Sequence, residues 1–105
     1  MATKNKYSLR ITERAEKDID DVFDYIVNEL KNPTAFNSLY KKFLSSCENV
    51  CLFPHSCPIS NLPAPFKVRK IILDNYIAFY EVDSEKEEII ISRFCYARQD
   101  LNNIF

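Results

Sequence analysis

Apolar positions recur along this chain with changing periods, and each change of period marks a new element. From Tyr7 to Ile11 the alternation runs every second residue, the pattern of a half-buried strand. The spacing then lengthens. Ala15, Ile19, Val22, Phe23, Ile26 and Leu30 fall on one stripe of a helix, with Asp18, Asp20, Asp21 and Asp24 around the rest of its circumference. Thr12 stands at the N-cap, where its hydroxyl can accept from an amide two or three residues on, and Glu13 and Glu16 suit the positive end of the helix dipole. The pattern predicts a helix to about Leu30.

Lys31-Asn32-Pro33-Thr34 is the break, with Asn32 as cap and Pro33 as first helical residue. A second stripe follows through Ala35, Phe36, Leu39, Tyr40, Phe43, Leu44, Cys47, Val50 and Cys51. Two amphipathic helices joined so tightly form an antiparallel hairpin, and its apolar side needs a surface. From Phe53 to Phe66 the periodicity stops. Pro54, Pro58, Pro63 and Pro65 forbid a helix there and limit strand pairing, so the segment is a long ordered loop.

Lys67–Leu73, Tyr76–Val82 and Glu88–Tyr96 are dense in Ile, Val, Phe and Tyr and are bounded by polar turns, the signature of strands. Asp74-Asn75 suits a two-residue hairpin and Asp83–Glu87 a longer one, giving an antiparallel meander. Both phases of the last strand hold large apolar residues, Ile89 and Ile91 against Ile90 and Phe94, so both sheet faces are expected to need cover. One helical hairpin covers one face; terminal residues or a partner must cover the other. Ala97, Leu101 and Ile104 suggest a short C-terminal helix or turn.

At 105 residues, 47% hydrophobic and 28% charged, the chain matches one ordinary globular domain, read as a flexible tail over residues 1–6 and a domain over 7–105. No apolar run is of membrane-spanning length and no signal-peptide core is visible, so a cytoplasmic protein without membrane contact is expected. Glycine is absent, which excludes Gly-rich phosphate loops and dinucleotide fingerprints. The net charge of −1 argues against an indiscriminate nucleic-acid binder, yet Lys67, Arg69 and Lys70 cluster without an acid between them. These cations either form a functional patch or guard a strand edge, where Glu81 and Glu88 could pair with them. Cys47, Cys51, Cys57 and His55 include an i, i+4 pair, but the spacing matches no familiar zinc module; buried, metal-free thiols on the second helix are expected, and no cofactor.

Four segments in order resemble the RelE/ParE superfamily of type II toxin–antitoxin toxins. They are Ile11–Ile19, Leu52-Phe53-Pro54, Val68–Ile71 with Asn75–Val82, and Ile91–Leu101 with its Arg98-Gln99-Asp100 tail. The resemblance implies an α+β fold: an N-terminal strand and an antiparallel α-hairpin packed on a mainly antiparallel sheet. It also implies a toxin neutralised by a cognate antitoxin.

The superfamily contains ribosome-dependent mRNA endonucleases and poisons of DNA gyrase. Nuclease chemistry needs a base for the ribose 2′-hydroxyl, an acid for the leaving oxygen and cations for the phosphorane charge. By the resemblance, Arg69, Lys70, Arg93 and Tyr96 are the nuclease candidates, with His55 as a substitute base. The family's middle-strand arginine position is Ile77 here, and Cys95 and Tyr96 offer no histidine at the end of the last strand. A tyrosine near its ordinary pKa of about 10 is a poor base at neutral pH. The incomplete set favours the gyrase-poison type, with Lys67, Arg69, Lys70, Arg93 and Arg98 as target- or antitoxin-binding residues. The alternatives are an endonuclease acting on mRNA at the translating ribosome, or a member that only binds its antitoxin.

Overall fold

A computed structural model describes residues 6–105. Of the tail expected over residues 1–6, only Lys6 is therefore described; its ammonium lies 3.7 Å from Glu48. The elements run β1 (Ser8–Ile11), α1 (Glu13–Phe23), a π-helical segment (Asp24–Glu29), α2 (Pro33–Leu52), β2 (Arg69–Leu73), β3 (Tyr76–Asp83) and β4 (Glu88–Tyr96). Thr12 caps α1 by accepting from the Ala15 amide at 3.1 Å, and Asn32 caps α2 by accepting from Ala35 at 3.2 Å. Among the described residues no helix is long and apolar enough to cross a membrane.

The first helix reaches the expected end by a different route. Its last turns widen, with the Leu30 amide donating to the Tyr25 carbonyl five residues back at 2.9 Å. Ile26 stays in the core, whereas Phe23, Tyr25 and Leu30 are exposed. Phe23 and Leu30 thus leave the stripe that periodicity assigned them. Lys31 closes the helix at φ 52, a left-handed conformation held without glycine.

The sheet order is β1-β4-β3-β2. The meander β2-β3-β4 is antiparallel as expected, and β1 lies parallel to β4, pairing Ser8 with Glu88 through Ile11 with Ile91. Between β3 and β4 the register slips: Phe79 faces Arg93 and Tyr80 faces Ile91, leaving Ser92 as the extra residue of a bulge. That slip reverses the alternation. Ile89, Ile91 and Phe94 all join the core under the helices, although simple alternation sets Phe94 in the other phase of β4.

This main core joins Phe43, Cys47 and Val50 of α2 to Ile71, Ala78, Tyr80, Ile89 and Ile91 of the sheet. A smaller cluster, Val68, Phe79 and Cys95, occupies the opposite face under Leu62 and Ala64 of the proline loop and Leu101, Ile104 and Phe105 of the terminus. The second face is covered by the chain itself. The terminal segment does so as turns, not as a helix. The proline loop also grips the β2 edge: Ser60 donates to the Val68 carbonyl at 2.7 Å and Lys70 to the Pro58 carbonyl at 3.0 Å.

Candidate functional site

The candidate residues do not converge. Strand alternation sends Arg69 and Lys70 to opposite faces of β2. Arg69 donates to the carbonyls of Cys57 at 2.6 Å and His55 at 3.2 Å, so its guanidinium pins the proline loop. Lys70 lies on the second face, beside a hollow of about 260 Å³ that Ile77, Phe79 and Leu101 also line. Lys67 and Arg98 are exposed, and His55 is exposed on the loop. Glu81 and Glu88 do not pair with this basic strand. Glu88 takes Arg10 at 3.2 Å, and Glu81 accepts from the Ser92 hydroxyl at 3.3 Å.

Lys70 and Arg93 share a row, because both stand opposite Phe79 in the ladder. Phe79 is buried there, in an edge-to-face arrangement with Phe105 at 5.4 Å between ring centroids. The space between the two cations is therefore apolar. Arg93 is itself engaged: Nε and Nη2 donate to Asp18 at 2.7 and 3.2 Å, and Nη1 donates to the Ile104 carbonyl. Hydrogen bonding to Asp18 pushes the Arg93 pKa up, against an opposing effect of burial. Tyr96 is on the helix-bearing side, edge-to-face with Tyr76 at 5.5 Å between ring centroids. It cannot share a site with Lys70, on the other face.

Two further concave regions stand out among the described residues. One comprises adjoining hollows of about 400 and 420 Å³ between α2 and β2, with Lys41, Lys42 and Lys70 around Ser45, Ser46 and Ile72. Ile72 is 59% exposed there. The other is a cavity of about 660 Å³ between α1, the π-helical segment and the ends of β3 and β4, walled by Tyr25, Tyr76, Tyr96 and Asp21.

The sequence reading missed Asp18, Ile72 and the Tyr25–Tyr76–Tyr96 grouping. Asp18 carried a signal: it follows Ala15 by three residues and precedes Val22 by four, so a carboxylate interrupts the apolar stripe. The tyrosines carried none, because three separate elements bring them together.

Two of the thiols, Cys47 and Cys51, lie where the helical stripe put them. Cys47, Cys51 and Cys95 are buried and Cys57 is half-buried. Burial, with Cys51 nearby, pushes the Cys47 thiol up to about 12. Among the described residues no group of three or more His, Cys, Asp or Glu side chains could hold a metal.

A four-stranded mixed sheet carrying an α-hairpin on one face defines the class: an α+β domain of the RelE/ParE architecture. The family model for the ParE toxin of the type II toxin–antitoxin system parDE matches residues 9–101, and the chain belongs to that family. No curated protein matches it. The fold is similar to that of a chain in the chromosomal ParDE system from P. aeruginosa, at TM-score 0.70 and 21% identity, covering 90% of this chain and 99% of that one. It is also similar to a chain of the RelBE2 complex from Mycobacterium tuberculosis, at TM-score 0.61 and 14% identity over 91% and 97%. The intact E. coli RelBE complex has a similar chain at TM-score 0.57 and 23% identity, over 89% and 99%.

Proposed function

We propose that this toxin arrests growth by binding a cellular protein such as DNA gyrase, and that a cognate antitoxin holds it inactive. The observation that carries this reading is the apolar filling between Lys70 and Arg93. A ribonuclease of this fold needs cations converging on a phosphate, and here Phe79, Ile77 and Phe105 stand between or beside them while Arg93 is bound to Asp18. An apolar spot with its cation already paired cannot stabilise a phosphorane.

For the antitoxin, the groove between α2 and β2 offers the best fit. Its lysines favour an acidic segment. Because the Lys70 amide points away from β3 to reach Pro58, alternation turns the Ile72 amide outward as well, where an added strand could pair with it. The similar solved structures from P. aeruginosa and E. coli are of toxin–antitoxin systems, which supports an antitoxin partner here.

Induction of this chain alone and together with the product of the adjacent reading frame tests the proposal. Growth arrest relieved by co-expression is expected, with inhibition of gyrase supercoiling by the purified toxin. Codon-phased transcript cuts, abolished by Lys70→Ala or Tyr96→Phe, would instead establish a ribosome-dependent nuclease.

A further inference from the structure

The second face of the sheet has two covers, and they are held in different ways. The proline loop is bonded to the fold at several points. Ser60 donates to Val68 and Lys70 to Pro58 through the main chain, the Tyr80 hydroxyl donates to the Pro54 carbonyl at 2.9 Å, and Arg69 donates to the Cys57 carbonyl. The C-terminal segment has no such seam. Among the described residues, its last main-chain bond to another part of the chain runs from the Ala97 amide to the Asn75 carbonyl at 2.7 Å. Beyond that point Gln99 donates to Tyr96 and Ile104 to Leu101, each three residues back.

Side chains alone hold the end of the segment down. Arg93 Nη1 donates to the Ile104 carbonyl, and the Phe105 ring lies edge-to-face with Phe79 at 5.4 Å and with Phe66 at 5.9 Å between centroids. Leu101, Ile104 and Phe105 are only half-buried themselves, yet they pack against Val68, Phe79 and Cys95, which are 3%, 0% and 3% exposed. Lifting them would break a few side-chain contacts and leave every ladder hydrogen bond of the sheet in place. Arg93 would also stay where it is, because Nε and Nη2 remain on Asp18 at 2.7 and 3.2 Å whether or not Nη1 has its carbonyl. The docking point is thus preformed for reclosure.

We propose that residues 101–105 form a strap that opens and closes over this face while the helices and sheet stay folded, with Arg93 as its latch and Phe105 as its apolar anchor. Opening uncovers Phe79 between Lys70 and Arg93 and frees Nη1. Closure hides the apolar row and satisfies that donor. The proposal rests on neither the gyrase nor the antitoxin reading.

Cys95, under the strap, is a built-in reporter. The test is iodoacetamide labelling of the full chain near pH 8, at urea concentrations below the unfolding transition, read by peptide mass spectrometry with Cys47 of the main core as reference. Cys95 should label through local unfolding of the strap, faster than Cys47 and almost independently of urea, because little surface is exposed; Cys47 should label only through global unfolding, with a steep urea dependence. Phe105→Ala is expected to raise Cys95 labelling about tenfold relative to Cys47. Arg93→Lys should do the same to about tenfold, since lysine keeps the charge but lacks the fork that reaches Asp18 and Ile104 together. Phe36→Ala, in the helical hairpin away from the strap, should accelerate Cys47 and leave Cys95 unchanged. Cys95 following Cys47 at every urea concentration, or Phe105→Ala moving both thiols together, would overturn the proposal.

Discussion

Asp18 and Arg93 stand 75 residues apart in the sequence, yet Nε of the arginine donates to the aspartate at 2.7 Å. The same carboxylate accepts from the Phe94 amide at 3.0 Å, where β4 extends beyond its pairing with β1. Asp18 thus stands in for a missing strand partner and anchors α1 to the sheet. Side-chain exposures of 10% and 12% put the pair largely out of water. Removing one partner there leaves a charge and an amide without compensation. Asp18→Ala is expected to lower unfolding stability by about 2–4 kcal/mol in urea titration, and Arg93→Ala by a similar amount. Additive losses in the double variant would show that the two residues are not coupled.

The absence of glycine has a measurable consequence. Lys31 at φ 52 and Glu87 at φ 50 hold left-handed backbone that residues with a β-carbon disfavour. Lys31→Gly and Glu87→Gly are each expected to raise stability by roughly 0.5–1 kcal/mol, read as a higher melting temperature. Asp74→Gly, at φ 56, should gain less, because aspartate tolerates this region better and also pairs with Lys42 at 2.8 Å.

The thiols should report burial through reactivity and pH. Alkylation of the native protein near pH 8, followed by peptide mass spectrometry, is expected to label Cys57 first and Cys47, Cys51 and Cys95 only on unfolding. Burial pushes Cys47 up to about 12 and Cys95 up to about 11, from an ordinary value of 9.0. For such groups the unfolded chain loses its protons first as pH rises. Their contribution is therefore fully present below about pH 9 and is lost progressively between about pH 9 and pH 12. Cys47→Ala should flatten that alkaline decline while lowering stability near neutrality.

Much of the fold was legible because periodicity and capping are local. Thr12, Asn32 and Pro33 mark helix starts through their own chemistry, and the Asp74-Asn75 turn through its tolerance of left-handed backbone. What was not legible depended on pairing between distant segments. The bulge at Ser92 exists only against Phe79 and Tyr80, and without it Ile91 and Phe94 would be assigned to opposite faces. The spread of the candidate residues was not legible for the same reason. Arg69 and Lys70 are neighbours in sequence, and a strand separates neighbours. Asp18 captures Arg93 from another element altogether.

The outer edge of β2 gives the sharpest test of antitoxin binding. Among the described residues, the proline loop occupies this edge only at Val68 and Lys70. The Ile72 amide, turned the same way as that of Lys70, plays no part in the β2–β3 ladder. A proline is tolerated in an edge strand when its missing N–H would have faced solvent. Ile72→Pro should therefore leave the fold intact by circular dichroism, yet weaken the complex with the antitoxin by about tenfold if a strand pairs there. Lys42→Glu should act differently, slowing association and reducing its dependence on salt, because an exposed lysine at the rim steers encounter more than it holds the complex. Stopped-flow association and dissociation rates separate the two effects. An Ile72→Pro variant that folds normally and binds the antitoxin with unchanged affinity would remove this edge from the interface.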